Sequence, residues 1–172
     1  MDNATVVERV RTALPNAITS SKEFRGLLSL FVPRDQIVEV ARFLRDDPDL
    51  NYNFLENLCG VDYLGREPRF EVVYHLLSFE NHHRVALKVG VPDHDPSLPT
   101  LTVLWPTANY QEREAYDMFG LIFTGHPGLD RILMPDDWEG HPLRKDVPLG
   151  YEEVAFTVNE EEIYAHKPFA HE

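Results

Sequence analysis

The chain has 172 residues, is 43% hydrophobic and 26% charged, and carries a formal net charge of −13. It is long enough for one domain with a core of its own, and its apolar runs fall far short of the roughly 18 residues that a membrane span needs. Residues 1–90 hold 11 basic and 13 acidic side chains and residues 91–172 hold 5 and 16. That acidic second half argues against nucleic acid and anionic lipid as direct partners.

The first residues, MDNATVVERV, lack the basic start and apolar stretch of a signal peptide, so a cytosolic chain is expected. Val6, Val7, Val10 and Leu14 recur at helical spacing before Pro15, which predicts a short amphipathic helix over 4–14. Strand-like runs follow at Ala17–Glu23 and Leu27–Val32, around a Phe24-Arg25-Gly26 turn. Pro33 opens a second predicted helix through Phe43 or Leu44, with Ile37, Val40, Ala41 and Leu44 on one face. Three further strands are predicted at Leu55–Leu64, Phe70–Phe79 and Arg84–Val91. The single cysteine, Cys59, lies in the first of these as an expected buried thiol. One cysteine permits neither an internal disulfide nor a self-held iron–sulfur cluster.

His82-His83 falls in the turn between the last two strands, as expected solvated loop residues, and VPDHDPSLPT reads as a loop. His94 with Asp93 and Asp95 offers metal-ligand types in that loop, without a recognised zinc spacing. Thr100–Trp105 is either strand or helical turn. After Pro106 comes a helix, with Asn109 and Glu112 resembling a capping box and Gly120 placed to end it. The predicted order α-β-β-α-β-β-β-α groups helices and strands rather than alternating them. That points to an α+β fold, a two-layer domain, rather than a doubly wound sheet. The globular part is expected over 1–124.

The last helix carries the most informative segment, Glu112-Arg113-Glu114 followed by Ala115-Tyr116-Asp117-Met118-Phe119-Gly120. Glu114 and Asp117 are three apart, and Arg113 and Asp117 four apart, so they share one helix face. The residues leave three readings open. The face is solvated and braced by an Arg113–Asp117 pair, or it contacts a partner, or it is a free-standing carboxylate or metal-dependent hydrolase site built from Glu114, Asp117 and His126. No phosphate-cradling glycine loop and no nucleophile elbow occurs in the sequence.

Beyond Phe123, Pro127, Pro135, Pro142 and Pro148 break regular structure, yet Ile132, Leu133, Met134, Trp138 and Leu143 are apolar. A long ordered segment of this kind is expected to be an extended partner-binding arm, 125–172, ending in an acidic tail from 151. His126 and His141 each precede a proline, in contact with a partner or in local hydrogen bonds. Trp138 is either an aromatic anchor or packs on its own domain. Arg144-Lys145 is a basic island whose arginine suits a carboxylate on a partner or on this chain.

ERE-AYDMFG followed by HPGLDRILMPDDWEGHPLRKD resembles the C subunits of NADH-quinone oxidoreductases, the 30 kDa subunit family of respiratory complex I. The match runs from about Glu112 to Pro148; residues 1–111 support it by length and element order. The resemblance implies a mixed sheet and a non-catalytic subunit of the peripheral arm, seated against the hydrogenase-large-subunit-like chain that helps form the quinone site. It implies no cofactor on this chain; NADH, FMN, iron–sulfur clusters and quinone would belong to neighbouring subunits. It places the chain peripherally on the cytoplasmic side of the membrane. It makes Glu112, Arg113, Glu114, Asp117, Gly120, His126, Arg131, Trp138, His141, Arg144 and Lys145 assembly contacts. Related subunits occur in membrane-bound hydrogenases and in complexes with other electron donors. This chain has Gly128 and Asp130 where the family often has Asp and Arg, and Val147 where Tyr is common.

Overall fold

A computed structural model of the chain describes residues 2–147 and 158. The expected acidic tail, apart from Val158, lies outside the described residues. The elements in order are α1 (Asn3–Ala13), β1 (Ser20–Phe24), β2 (Leu27–Phe31), α2 (Ile37–Asp46), β3 (Phe54–Asp62), β4 (Phe70–Ser78), β5 (His83–Val91), β6 (Ser97–Pro99), α3 (Ala108–Phe119) and β7 (Ile122–Thr124). The fold is α+β, as the grouping of elements predicts, and its main sheet is mixed, as the resemblance implies.

The main sheet runs β1-β2-β5-β4-β3. Only β2 and β5 pair in parallel; the remaining neighbours in this sheet are antiparallel. Alternation along the strands sends Leu58, Tyr74, Leu87 and Leu30 to one face, and that face joins the apolar sides of all three helices in a single core. The other face is open. Phe31, Cys59, Val73 and Lys88 line a shallow groove there. Cys59 is therefore half-buried rather than enclosed, because strand alternation turns it away from the core.

The first turn of α1 is capped by Asp2, whose carboxylate accepts from the Thr5 amide at 2.7 Å. Arg9 pairs with Asp47 at 2.8 Å and so ties α1 to the end of α2. The second helix starts at Ile37, since the turn opened by Pro33 closes on Gln36 and comes before it. His83 is not a solvated loop residue: its Nδ1 meets the Tyr52 hydroxyl at 2.6 Å and its Nε2 the Asn3 side chain at 2.9 Å.

Periodicity misses two pieces. The proline- and aspartate-rich loop contains β6, which pairs in parallel with β7 just after the last helix. A three-residue strand is too short to show alternation. Thr100–Trp105 forms a turn closed by the Trp105 amide on the Leu101 carbonyl at 3.0 Å. It leads directly into α3, which lies over β3.

Gly60 permits that approach. A Cβ there would sit 2.7 Å from the Phe119 ring and 3.2 Å from Leu121. Gly60→Ala should destabilise the domain by about 1–3 kcal/mol through overpacking. Urea unfolding checks this; an unchanged midpoint would mean that α3 can lift from β3 at little cost.

Candidate functional site

The third helix ends at Gly120, in the left-handed region at φ 75°. Its amide bonds the Tyr116 carbonyl at 2.8 Å. Glycine suits this position for its backbone and for its lack of a side chain. A Cβ would lie 2.7 Å from the His141 ring and 3.1 Å from the Arg144 guanidinium. The chain beyond the helix thus folds back onto the helix's own end.

Glu112 and Asp117 are both fully buried. The solvated reading of the helix face does not hold at Asp117. Glu112 accepts from the Thr100 hydroxyl at 2.5 Å and the Leu101 amide at 2.7 Å. It therefore pins the turn before the helix instead of completing a capping box with Asn109; the N-cap is Thr107, which makes no side-chain cap bond. Burial pushes the Glu112 carboxyl up to about 7, against the lowering effect of those two donors.

Asp117 holds the arm. One carboxylate oxygen accepts from the successive amides of Ile132, Leu133 and Met134 at 3.0, 2.8 and 2.9 Å. The other takes the Arg131 guanidinium at 2.6 Å. Burial alone would raise this carboxyl, but three converging amides and the cation outweigh it and hold it at about 2. Arg113 is not its partner. That guanidinium turns outward to the carbonyls of Asp130 and Arg131 at 3.1 and 3.0 Å, because the buried side of the helix is already filled by the arm.

The arm continues along the helix end. His141 Nδ1 meets the Asp117 carbonyl at 2.9 Å, the Leu143 amide donates to Met118 at 3.1 Å, and Arg144 Nε donates to Phe119 at 2.7 Å. A second clasp sits at the end of the sheet. Buried Arg69 forms a bidentate pair with Asp62 at 3.0 and 2.9 Å, and also bonds Asp93 and Asp146. Asp62 in turn accepts the Lys145 amide at 2.8 Å. The Arg69 guanidinium, with the Lys145 amide, keeps the Asp62 carboxyl below its usual range despite burial. Sequence reading misses Asp62, Arg69 and Thr100. A signal exists: Asp62 is in phase with the core positions Leu58 and Gly60, where an unpaired charge is not tolerated.

Among the described residues, Glu114, Asp117 and His126 do not gather into a group that could hold a metal ion. All four hydrogen bonds at the Asp117 carboxylate come from within the chain. His126 accepts the Gly128 amide on Nδ1 and so presents its Nε2 proton to the Asn109 carbonyl. Glu114 is exposed where Asp117 is buried, so the two carboxylates do not share one environment. In the loop, Asp93 and Asp95 pair with Arg69 and Arg34 rather than forming a site with His94. The arm presents large apolar side chains to water: Leu133 is 61% exposed, Trp138 47% and Leu143 54%.

A family model described as "Respiratory-chain NADH dehydrogenase, 30 Kd subunit" matches residues 30–153. The chain is 74% identical over its whole length to the C subunit of an NADH-quinone oxidoreductase of Roseiflexus sp. (strain RS-1), covering 99% of that protein. Among solved structures it resembles "Nqo5 of the trypsin-resistant fragment (1-134)", with a TM-score of 0.63 and 36% identity over 75% of this chain and all of that one. It shares its fold with a chain of a membrane-bound sulfane sulfur reductase, described as an archaeal respiratory membrane complex. There the TM-score is 0.74, with 24% identity over 98% of this chain and 95% of the other.

Asp117→Ala should release the arm at a cost of roughly 3–5 kcal/mol, since it leaves Arg131 and three amides without their partner. Limited proteolysis should then cut within 126–147 while the sheet survives; equal resistance in variant and wild type would show that Asp117 is not the clasp. Glu112 gives a pH signature. Its carboxyl rises from 4.5 in the unfolded chain to about 7 when folded, so the folded state keeps a proton that the unfolded state loses. Stability should therefore fall as pH rises through that window, by on the order of 3 kcal/mol. Glu112→Gln should flatten this slope, and parallel pH profiles of the two proteins would contradict it.

Proposed function

The chain belongs to the 30 kDa subunit family of respiratory-chain NADH dehydrogenase, and from that premise we propose that it is a non-catalytic docking subunit. It serves in the peripheral arm of an NADH:quinone oxidoreductase. The arm, 125–172, carries the contact, and its partner is the hydrogenase-large-subunit-like chain that helps form the quinone site. NADH, FMN, iron–sulfur clusters and quinone belong to neighbouring subunits. The complex lies on the cytoplasmic side of the membrane, with this chain attached peripherally; among the described residues no helix is long and apolar enough to cross.

One observation carries the reading. Leu133, Trp138 and Leu143 are held in water-facing positions by backbone and side-chain bonds to α3 and to its partner Arg131. Large apolar groups fixed in this way mark a binding surface, and their prior ordering lowers the entropy lost on docking. The buried Asp117 and its partner Arg131 are engaged in holding the arm, which supports docking over catalysis.

Affinity purification of the tagged chain from native membranes tests the proposal. It should bring down an NADH-oxidising flavin subunit together with the quinone-site chain; recovery of a hydrogenase module instead would assign the chain to that relative of the complex. Trp138→Ala should weaken retention in the complex by about 2 kcal/mol, roughly 30-fold. Its melting temperature in isolation should be unchanged. A collapsed melting temperature with normal retention would make Trp138 a core residue.

A further inference from the structure

We propose that the surface receiving the arm is an apolar groove rimmed by lysine and arginine. This rests on the docking role above and adds to it the chemistry of the partner.

The arginines of this region are engaged by groups of the chain itself. Arg131 is only 16% exposed and is bound to Asp117 and to the Trp138 and Gly140 carbonyls. Arg113 bonds two carbonyls of the arm, and Arg144 bonds the Phe119 carbonyl with Asp93 at 3.6 Å. Arg144, expected from the sequence to reach a carboxylate on a partner or on this chain, thus acts within its own chain. Among the described residues of the arm, Lys145 is the exposed cation.

The negative charges differ. Asp130, Asp136, Asp137 and Glu139 are exposed. Among the described residues their carboxylates form no hydrogen bond or ion pair. Three of them bracket Trp138, in a turn closed by the Trp138 amide on the Pro135 carbonyl at 3.0 Å. The outward surface is therefore an aromatic anchor flanked along the chain by exposed carboxylates. An anchor in a pocket with a polar rim is the common anatomy of a binding hot spot. Rim charges of one sign select a partner rim of the other and speed its approach. A second copy of this surface would set carboxylate against carboxylate, and an anionic bilayer would repel it.

The test uses the full-length tagged chain in its native membrane complex, with retention measured on native gels over a series of salt concentrations. D136N/D137N/E139Q should weaken retention roughly tenfold and flatten its salt dependence, and D136K/D137K/E139K should abolish retention. Neither should shift the melting temperature of the purified chain, because these carboxylates make no polar contact with the described residues. Wild-type retention by the lysine variant would overturn the proposal. So would a salt-sensitive dimer of the purified chain that the same changes abolish, since the occupant would then be a second copy. If the wild-type chain never purifies with a respiratory complex, the docking role itself fails, whatever the variants do.

Discussion

The Asp117 carboxylate is an ion without access to solvent, and the region from α3 to Val147 is arranged around it. Enclosing such a charge costs several kcal/mol unless it is fully solvated by the protein. Here the solvation comes from three consecutive amides of Ile132, Leu133 and Met134 and from Arg131. Those donors exist in the right place only if the chain at 131–134 adopts one conformation. The ion and the arm therefore specify each other.

This constraint reaches the surface. Consecutive amides that point inward to one carboxylate leave the side chains of 132–134 directed elsewhere, and Leu133 faces water as a result. Arg131 bridges from Asp117 to the carbonyls of Trp138 and Gly140, which sets the turn that presents Trp138. The Asp62–Arg69 pair performs the same service at the far end, holding the Lys145 amide and Asp146. Between the two clasps the arm runs past Gly120, the position with room for it. A sheet covered by helices on one face supplies the rigid platform, and the docking surface is built on chain that has no regular structure of its own.

Much of this is legible in the sequence. The helices and the strands of the main sheet follow from periodicity and turn residues, and Gly120 is readable as the helix end. The prolines correctly mark 125–147 as irregular, and the apolar residues among them correctly signal order. The charged motif misleads because helical spacing names the residues that can meet on a helix but not the side of it that is buried. Arg113 and Asp117 are four apart, yet Arg131, far along the arm, takes the Asp117 carboxylate instead. Long-range pairs such as Asp62 with the Lys145 amide leave no local trace. The short strands β6 and β7 are created by their mutual pairing rather than by their own composition.

Amide hydrogen exchange at Ile132, Leu133 and Met134 in the purified subunit measures the clasp directly. These amides lie in a segment without regular secondary structure, and their hydrogen-bond acceptor is the Asp117 carboxylate. A preformed arm predicts strong protection at all three, lost together in the opening of one cooperative unit. If they exchange as freely as neighbouring loop amides, the arm is not held before its partner arrives, and the docking surface forms only on assembly.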